Sequence, residues 1–204
     1  TFGAGTEVIA AMASGDVQVA ELGSSPLAIA ASQGVDLQLF MIAQGLGTAE
    51  SLIAKADSGI TKLEDVKGKR IAVPVGSTAH YSLMGALAHV GIAETDVEII
   101  NLPADQIAAA WDSGQVDAAF IWEPVQNQIL QTGTFIVGAD QTAEWGYPTF
   151  DGWVVNKDFA AANADAMVAF AKVMNEANMA YLADPAAWTA DSAPVKTIAE
   201  VTGA

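Results

Sequence analysis

Apolar positions along the chain follow two alternating rhythms. Residues 7–15, "EVIAAMASG", space their apolar side chains at helical intervals and end in Ser-Gly. Residues 17–22, "VQVAEL", form a compact apolar run of strand length. An offset of 99 residues carries residues 7–22 onto 106–121, "QIAAAWDSGQVDAAFI". Ser14-Gly15 then falls on Ser113-Gly114, Val17 on Val116 and Ala20 on Ala119. Each copy predicts a short alanine-rich helix, a left-handed glycine that ends it, and a strand covered on both faces. Each strand then meets a proline, Ser25-Pro26 in "GSSPLAIAASQG" and Glu123-Pro124 in "WEPVQNQILQTG". Proline favours the first turn of a helix and holds the preceding residue extended. Ser25 and Glu123 are therefore expected N-caps at the carboxyl ends of strands, where open α/β sheets bind ligands.

The remaining pattern continues in the same alternation. "DLQLFMIA" predicts a strand, "QGLGTAE" a turn and "SLIAKAD" a further extended run. A helical turn in "KLEDVKGK" precedes the strand Arg70–Val73. "HYSLMGALAHVG" places Leu83, Ala86, Leu87 and Val90 on one helical face and closes at Gly91. "DVEIINLP", "TFIVGAD" and "DGWVVNKDF" each carry a strand. "ADAMVAFAKVMNEANMAYLAD" predicts a long amphipathic helix, and "PAAWTADSAPVKTIAEVTG" a helical tail. The fold class is α/β, with two related lobes. With no Ser/Gly linker, the chain is expected to cross between them near Leu52–Lys55 and near Trp153–Lys157, a two-segment hinge.

Composition narrows the partners. The 204 residues suffice for one large domain or two small lobes, and 52% are apolar, enough for a sizeable core. Eight basic residues face 24 acidic ones, a formal net charge of −16. No basic face can be assembled to neutralise nucleic-acid phosphates, and an anionic membrane is disfavoured for the same reason. The absence of cysteine removes disulfides, thiolate metal sites and cysteine nucleophiles together. No run of 18 apolar residues appears, and the opening "TFGAGTEV" has no basic n-region, as in a mature or trimmed form.

Candidate chemistry concentrates in "VGSTAHYSL". It follows the strand "RIAVP" and opens a helix, so Ser77 or Thr78 is the natural N-cap. A helix start offers free N–H groups and a partial positive charge, which attract anions, although a plain cap needs no ligand. Neither G-x-x-x-x-G-K-[ST] nor G-x-G-x-x-G occurs, which argues against a phosphate loop. No G-x-S-x-G occurs, and Ser77 with His80 lacks an acid partner, which argues against a serine hydrolase. The two histidines, His80 and His89, form no metal motif; His89 falls on the polar helix side as a surface residue. Asp151, between aromatics in "YPTFDGWVV", and Glu123, after Trp122, are carboxylates that read either as solvated acids or caps, or as partners for an ammonium group beside an aromatic wall. None of the eight basic residues lies in these loops, so an anion would be met by hydroxyls and N–H groups. That pattern suits a small zwitterion better than a polyanion.

"GKRIAVPVGSTAHYSLMGALAHVGI", "IAAAWDSGQVDAAFIWEP" and "WGYPTFDGWVVNKDF" together resemble the taurine-binding proteins of ABC importers, within the wider group that binds aliphatic sulfonates and nitrate. "VIAAMASGDVQVAELGSSPLAIAAS" resembles the first-lobe segment of that family. The resemblance implies a type II periplasmic-binding-protein fold, with lobes formed by residues 1–55 with 156–204 and by 56–155. It implies a sulfonate held by Ser24, Ser25, Ser77 and Thr78, with His80 and Tyr81 nearby. It implies an amine held by Asp151, with Trp122, Glu123 and Gln44 lining the cleft. It further implies a monomeric periplasmic or lipid-anchored receptor that serves a membrane permease, with no cofactor and no catalysis. Alkanesulfonate or nitrate binding is the alternative within the group. The desulfinase type on this fold uses a cysteine nucleophile, which this chain lacks. Family members carry a signal peptide, a first strand before the present start and further C-terminal helices, so part of the ligand shell is expected to lie outside this chain.

Overall fold

The computed structural model describes residues 2–202. In chain order the strands are β1 (Val19–Gly23), β2 (Leu37–Gly45), β3 (Glu50–Lys55), β4 (Arg70–Val73), β5 (Glu98–Asn101), β6 (Ala118–Trp122), β7 (Gly133–Gly138) and β8 (Phe150–Asn156). The helices are α1 (Gly5–Ala13), α2 (Ser24–Ser32), α3 (Thr78–His89), α4 (Ala104–Asp112), α5 (Val125–Leu130), α6 (Ala139–Glu144), α7 (Lys157–Ala162), α8 (Ala164–Ala183) and α9 (Ala193–Thr202). The strands form two sheets, one ordered β1-β8-β2 and one ordered β5-β4-β6-β3-β7.

The internal echo is exact in these elements. An offset of 99 carries α1 onto α4 and β1 onto β6, residue for residue. Both helices end alike: Ser14 N–H donates to Ala10 and Ser113 N–H to Ala109, and the following glycines adopt φ of 83° and 71°. The pairing repeats too. β8 runs antiparallel between β1 and β2, as β3 runs antiparallel between β6 and β7. The five-stranded sheet adds β4 parallel to β6, and β5 parallel to β4. Among the described residues, β1 has no strand on its other side.

The central strands β3, β4 and β6 of the five-stranded sheet are buried on both faces, with the period of two that a covered strand requires. Leu52, Ile71, Val73 and Phe120 point into one cluster with Leu83 and Leu87 of α3. Their neighbours Ile53, Ala72, Ala119 and Ile121 point into the other, with Ile107 and Trp111 of α4. Burying each large side chain contributes about 1.5–3 kcal/mol. The three-stranded sheet packs Leu22 and Val154 against Val8, Ile9 and Met12 of α1 and Ala30 of α2.

Several expectations change at the elements themselves. Leu52–Lys55, read as a crossing, belongs to the buried interior of β3, and Trp153–Asn156 to β8. The expected N-cap Ser25 lies inside α2, whose cap is the extended Gly23. Pro26 remains in the first turn, where the missing N–H costs nothing. "TFIVGAD" ends as a strand at Gly138, and α6 begins at Ala139 after Gln141 caps the Gly138 N–H. His89 is exposed as expected, and it also stacks on Trp145 with ring centroids 3.8 Å apart.

Residues from Asp158 onward form a separate compact unit. There α8 takes the predicted span, with Val168, Val173, Met179 and Leu182 exposed. The helical tail resolves into a 3₁₀ turn at Pro185–Ala187 and α9, while Gly203 lies outside the described residues. Tyr181 and Trp188 meet edge to face at 5.4 Å.

Candidate functional site

The strand ends set up the site. β1 ends at Gly23 and passes directly into α2, β4 leads through a Pro-Val-Gly-Ser turn into α3, and β6 ends at Trp122 before α5. α2 and α3 approach closely at this point: a Cβ added to Gly23 would lie 2.9 Å from Thr78 Cγ2 and 3.4 Å from Asp151 Oδ1. The first turns of two helices therefore open beside one carboxylate.

Ser77 is the N-cap of α3, and its hydroxyl accepts from the His80 N–H at 3.1 Å. The serine thus meets the histidine backbone and not its ring. The His80 Nδ1 accepts from the Gly76 N–H at 3.3 Å, which leaves the ring proton on Nε2. That Nε2 is buried with no partner among the described residues, and burial lowers the imidazole pKa. Ser24 is tied to β8, its hydroxyl accepting from the Phe150 N–H at 3.3 Å. Glu123, expected as the N-cap of α5, lies one residue before it, the cap being Pro124; its carboxylate accepts from the Asn127 N–H at 3.1 Å.

Strand register brings the carboxylates together. Asp151 lies opposite both Gly23 on β1 and Gln44 on β2. The Gln44 amide donates to Asp151 Oδ2 at 3.2 Å. Glu50 on β3 lies opposite Trp122, the last residue of β6. Trp122 is the residue onto which the 99-residue offset carries Gly23, so Glu50 and Asp151 occupy equivalent places in the two sheets. Glu50 is 2% exposed; it accepts from the Thr78 hydroxyl at 2.7 Å and from the Ser82 hydroxyl at 3.5 Å.

Two cavities flank Ser77. One, of about 410 Å³, is lined by Glu21, Gly23, Gln44, Glu50, Ser77, Thr78, Trp122, Glu123 and Asp151, among others. The other, of about 570 Å³, is lined by Ser24, Ser25, Ser77, His80, Tyr81 and Met84, with Ala28, Ile29, Gly76 and Pro148. All ten expected residues thus line one of two adjoining cavities, and Ser77 lines both. The four residues expected to hold a sulfonate are split, with Ser24 and Ser25 on one side and Thr78 on the other. No lysine or arginine appears among the described residues lining either cavity.

Acidic side chains give the first cavity its electrostatics. Burial pushes Glu50 up to about 7, and the Asp151 charge adds to this, while the Thr78 and Ser82 hydroxyls pull it down. Asp151 is raised by burial, against the bond from Gln44. Glu21 is raised by burial and then by Asp151. Such shifts mark a group of carboxylates that lacks its counter-charge. Neither Glu21 nor Glu50 was expected as a site residue. Glu50 closes the predicted turn "QGLGTAE", and only the internal echo, by way of Asp151, points to it.

Comparison with known proteins places this geometry. The chain is 45% identical over 202 residues to the taurine-binding periplasmic protein of Escherichia coli strain K12, covering 99% of this chain and 62% of that one. The alkanesulfonate-binding protein of Xanthomonas axonopodis, solved with MOPS bound, superposes with a TM-score of 0.83 at 25% identity, covering 99% of this chain and 67% of that one. The periplasmic aliphatic sulphonate-binding protein of E. coli superposes with a TM-score of 0.73 at 24% identity, covering 90% of this chain and 59% of that one. The chain thus has the α/β fold of the periplasmic sulfonate-binding proteins and spans less than two thirds of the length of its E. coli taurine-binding relative. A family model, NMT1/THI5 like, matches residues 2–188, and the chain belongs to that family.

Proposed function

We propose that this chain is the ligand-binding part of an extracytoplasmic receptor that captures taurine, or a close aminosulfonate, for an ABC-type importer. The observation that carries the reading is the pairing of helix starts with unbalanced carboxylates in a cavity without basic residues. A sulfonate suits N–H groups and hydroxyls at Ser77 and Thr78, with Ser24 and Ser25 of α2 beside them. An ammonium suits Asp151, held in place by Gln44, with Glu21 near and Trp122 and Glu123 as walls. His80 and Tyr81 support the sulfonate end from the second cavity. The 45% identity to a taurine-binding protein supports the choice of ligand within the family.

In this reading the chain captures and does not convert, and the Ser77 hydroxyl engages the His80 backbone and not its ring. The receptor works as a periplasmic or lipid-anchored monomer and delivers its ligand to a membrane permease. The lobes close on the ligand and exclude water, which strengthens its charge contacts. β3 lies in the other sheet from the strand before it, β2, and β8 from the strand before it, β7, which favours a hinge ahead of each strand, at residues 46–49 and 139–149, over boundaries at 55/56 and 155/156.

Calorimetric titration of ligand-free protein with taurine, ethanesulfonate and nitrate tests the reading. Taurine is expected to bind at least about tenfold more tightly than ethanesulfonate, because only taurine satisfies Asp151. Heat from ethanesulfonate or nitrate with none from taurine overturns it.

A further inference from the structure

Glu50 differs from the other acids in the cavity in being bonded to α3, through the hydroxyls of Thr78 and Ser82. Thr78 holds the first position of α3, the end that attracts anions, and its hydroxyl proton is given to Glu50 Oε2 at 2.7 Å. A hydroxyl has one proton to donate. While Glu50 is ionised, Thr78 can offer a ligand oxygen only lone pairs. A protonated Glu50 is itself a donor to Thr78 Oγ1, and the threonine proton is then free to turn into the cavity.

We propose that Glu50 is a positioning residue for the anionic end of the ligand, acting through Thr78: capture of a sulfonate takes up one proton at Glu50 and redirects the Thr78 hydroxyl to a sulfonate oxygen. The choice of sulfonate rests on the function proposed above; the Glu50–Thr78 bond does not. Atoms balance simply. The proton comes from solvent to a Glu50 carboxylate oxygen, that O–H donates to Thr78, and Thr78 donates onward.

Burial and the neighbouring acids favour the protonated form, while the Thr78 and Ser82 hydroxyls, donating to the carboxylate, favour the ionised one. Asp151 on β8, Glu21 on β1 and Glu123 after β6 line the same cavity, all acidic. α3 contributes the non-titrating Thr78 and Ser82, while its His80 and Tyr81 line the other cavity. A side chain 2% exposed with a pKa of about 7 samples both forms near neutrality. A ligand ammonium beside Asp151 opposes proton uptake at a distance, whereas the hydrogen bond to Thr78 acts directly and decides the sign.

Calorimetry at about pH 8, in phosphate and in Tris, reads the proton count for taurine and for ethanesulfonate. Wild type is expected to take up roughly half a proton or more per ligand, and its affinity to fall several-fold between about pH 6.5 and pH 8.5. Glu50→Gln, whose amide donates to Thr78 at every pH, is expected to bind with no uptake and a flat pH profile. Thr78→Val, nearly isosteric, is expected to lose the uptake as well, so the test survives if one variant fails to fold. Taurine heat without buffer dependence, proton release, or uptake that persists in both variants overturns the Glu50 role and leaves the taurine reading standing. Uptake with ethanesulfonate while taurine is silent overturns the taurine reading alone. No heat from either ligand overturns both.

Discussion

At the scale of single residues, the position of Asp151 is fixed from two sides, which suits the role proposed for it beside the ligand's cation. Register sets it opposite Gly23 and Gln44, and Gln44 holds one of its oxygens. Asp151→Asn keeps the shape and removes the charge. It is expected to weaken taurine binding by roughly 10- to 100-fold, about 1.5–3 kcal/mol for a charged hydrogen bond, and to leave ethanesulfonate binding unchanged, read by titration calorimetry. Glu50 contributes to the dependence of stability on pH. Its folded pKa of about 7 lies above the ordinary 4.5, so the folded state binds the extra proton and stability falls as pH rises from about 4.5 through 7. The loss approaches roughly 3 kcal/mol. Denaturant unfolding from about pH 5 to pH 8 is expected to show this decline, and Glu50→Gln to lessen it; equal slopes would refute the assignment. Asp151 was legible in the sequence because a lone acid between aromatics stands out. Glu50 was not, because its burial comes from antiparallel pairing with β6, 72 residues away at Trp122, and from α3 laid across it. Glu21 is exposed, as a single acid in an apolar strand reads, and its place in the first cavity near Asp151 follows from the fold, not from local pattern.

Elements show where local preference and packing part company. Gly85 sits in the middle of α3, where alanine ordinarily stabilises by up to about 1 kcal/mol. A Cβ there would overlap the Tyr147 ring. Gly85→Ala is therefore expected to destabilise, by roughly 1–3 kcal/mol as in overpacked cores, and thermal melting reads the sign. A rise in melting temperature would mean that Tyr147 swings clear. The elements most legible in the sequence were those with both a period and a stop: α1 with β1, α4 with β6, and the buried stripe of α3. Their ends follow from Gly15, Gly114 and Gly91, each at positive φ. Less legible were β3 and α2. β3 reads as an apolar run of strand length, and nothing local says that it sits between β6 and β7. α2 begins a residue before Ser25, after the extended Gly23, whose close approach to Thr78 is a contact made across the fold.

Charge acts at the scale of the whole molecule. With 24 acidic and eight basic residues, the chain repels anions at long range. Its ion pairs do little to change this. Lys62–Glu64, Lys67–Asp96, Lys157–Asp36 and Lys196–Asp191 are solvent-exposed, and even Arg70–Asp117, at 2.7 Å, only neutralises itself. An alkanesulfonate approaches such a surface against its field, whereas a zwitterion has no net charge and feels only the gradient. Salt shortens the reach of the field, from about 30 Å at 0.01 M to 10 Å at 0.1 M. Stopped-flow association of ethanesulfonate is therefore expected to speed up several-fold over that range, while taurine association stays flat. The dissociation rates, set by contacts inside the cleft, should change little for either ligand. A taurine on-rate that rose as steeply as that of ethanesulfonate would show that the receptor meets its ligand as an anion. The acidic exterior would then play no part in selecting a zwitterion, and the discrimination would rest on Asp151 and its neighbours alone.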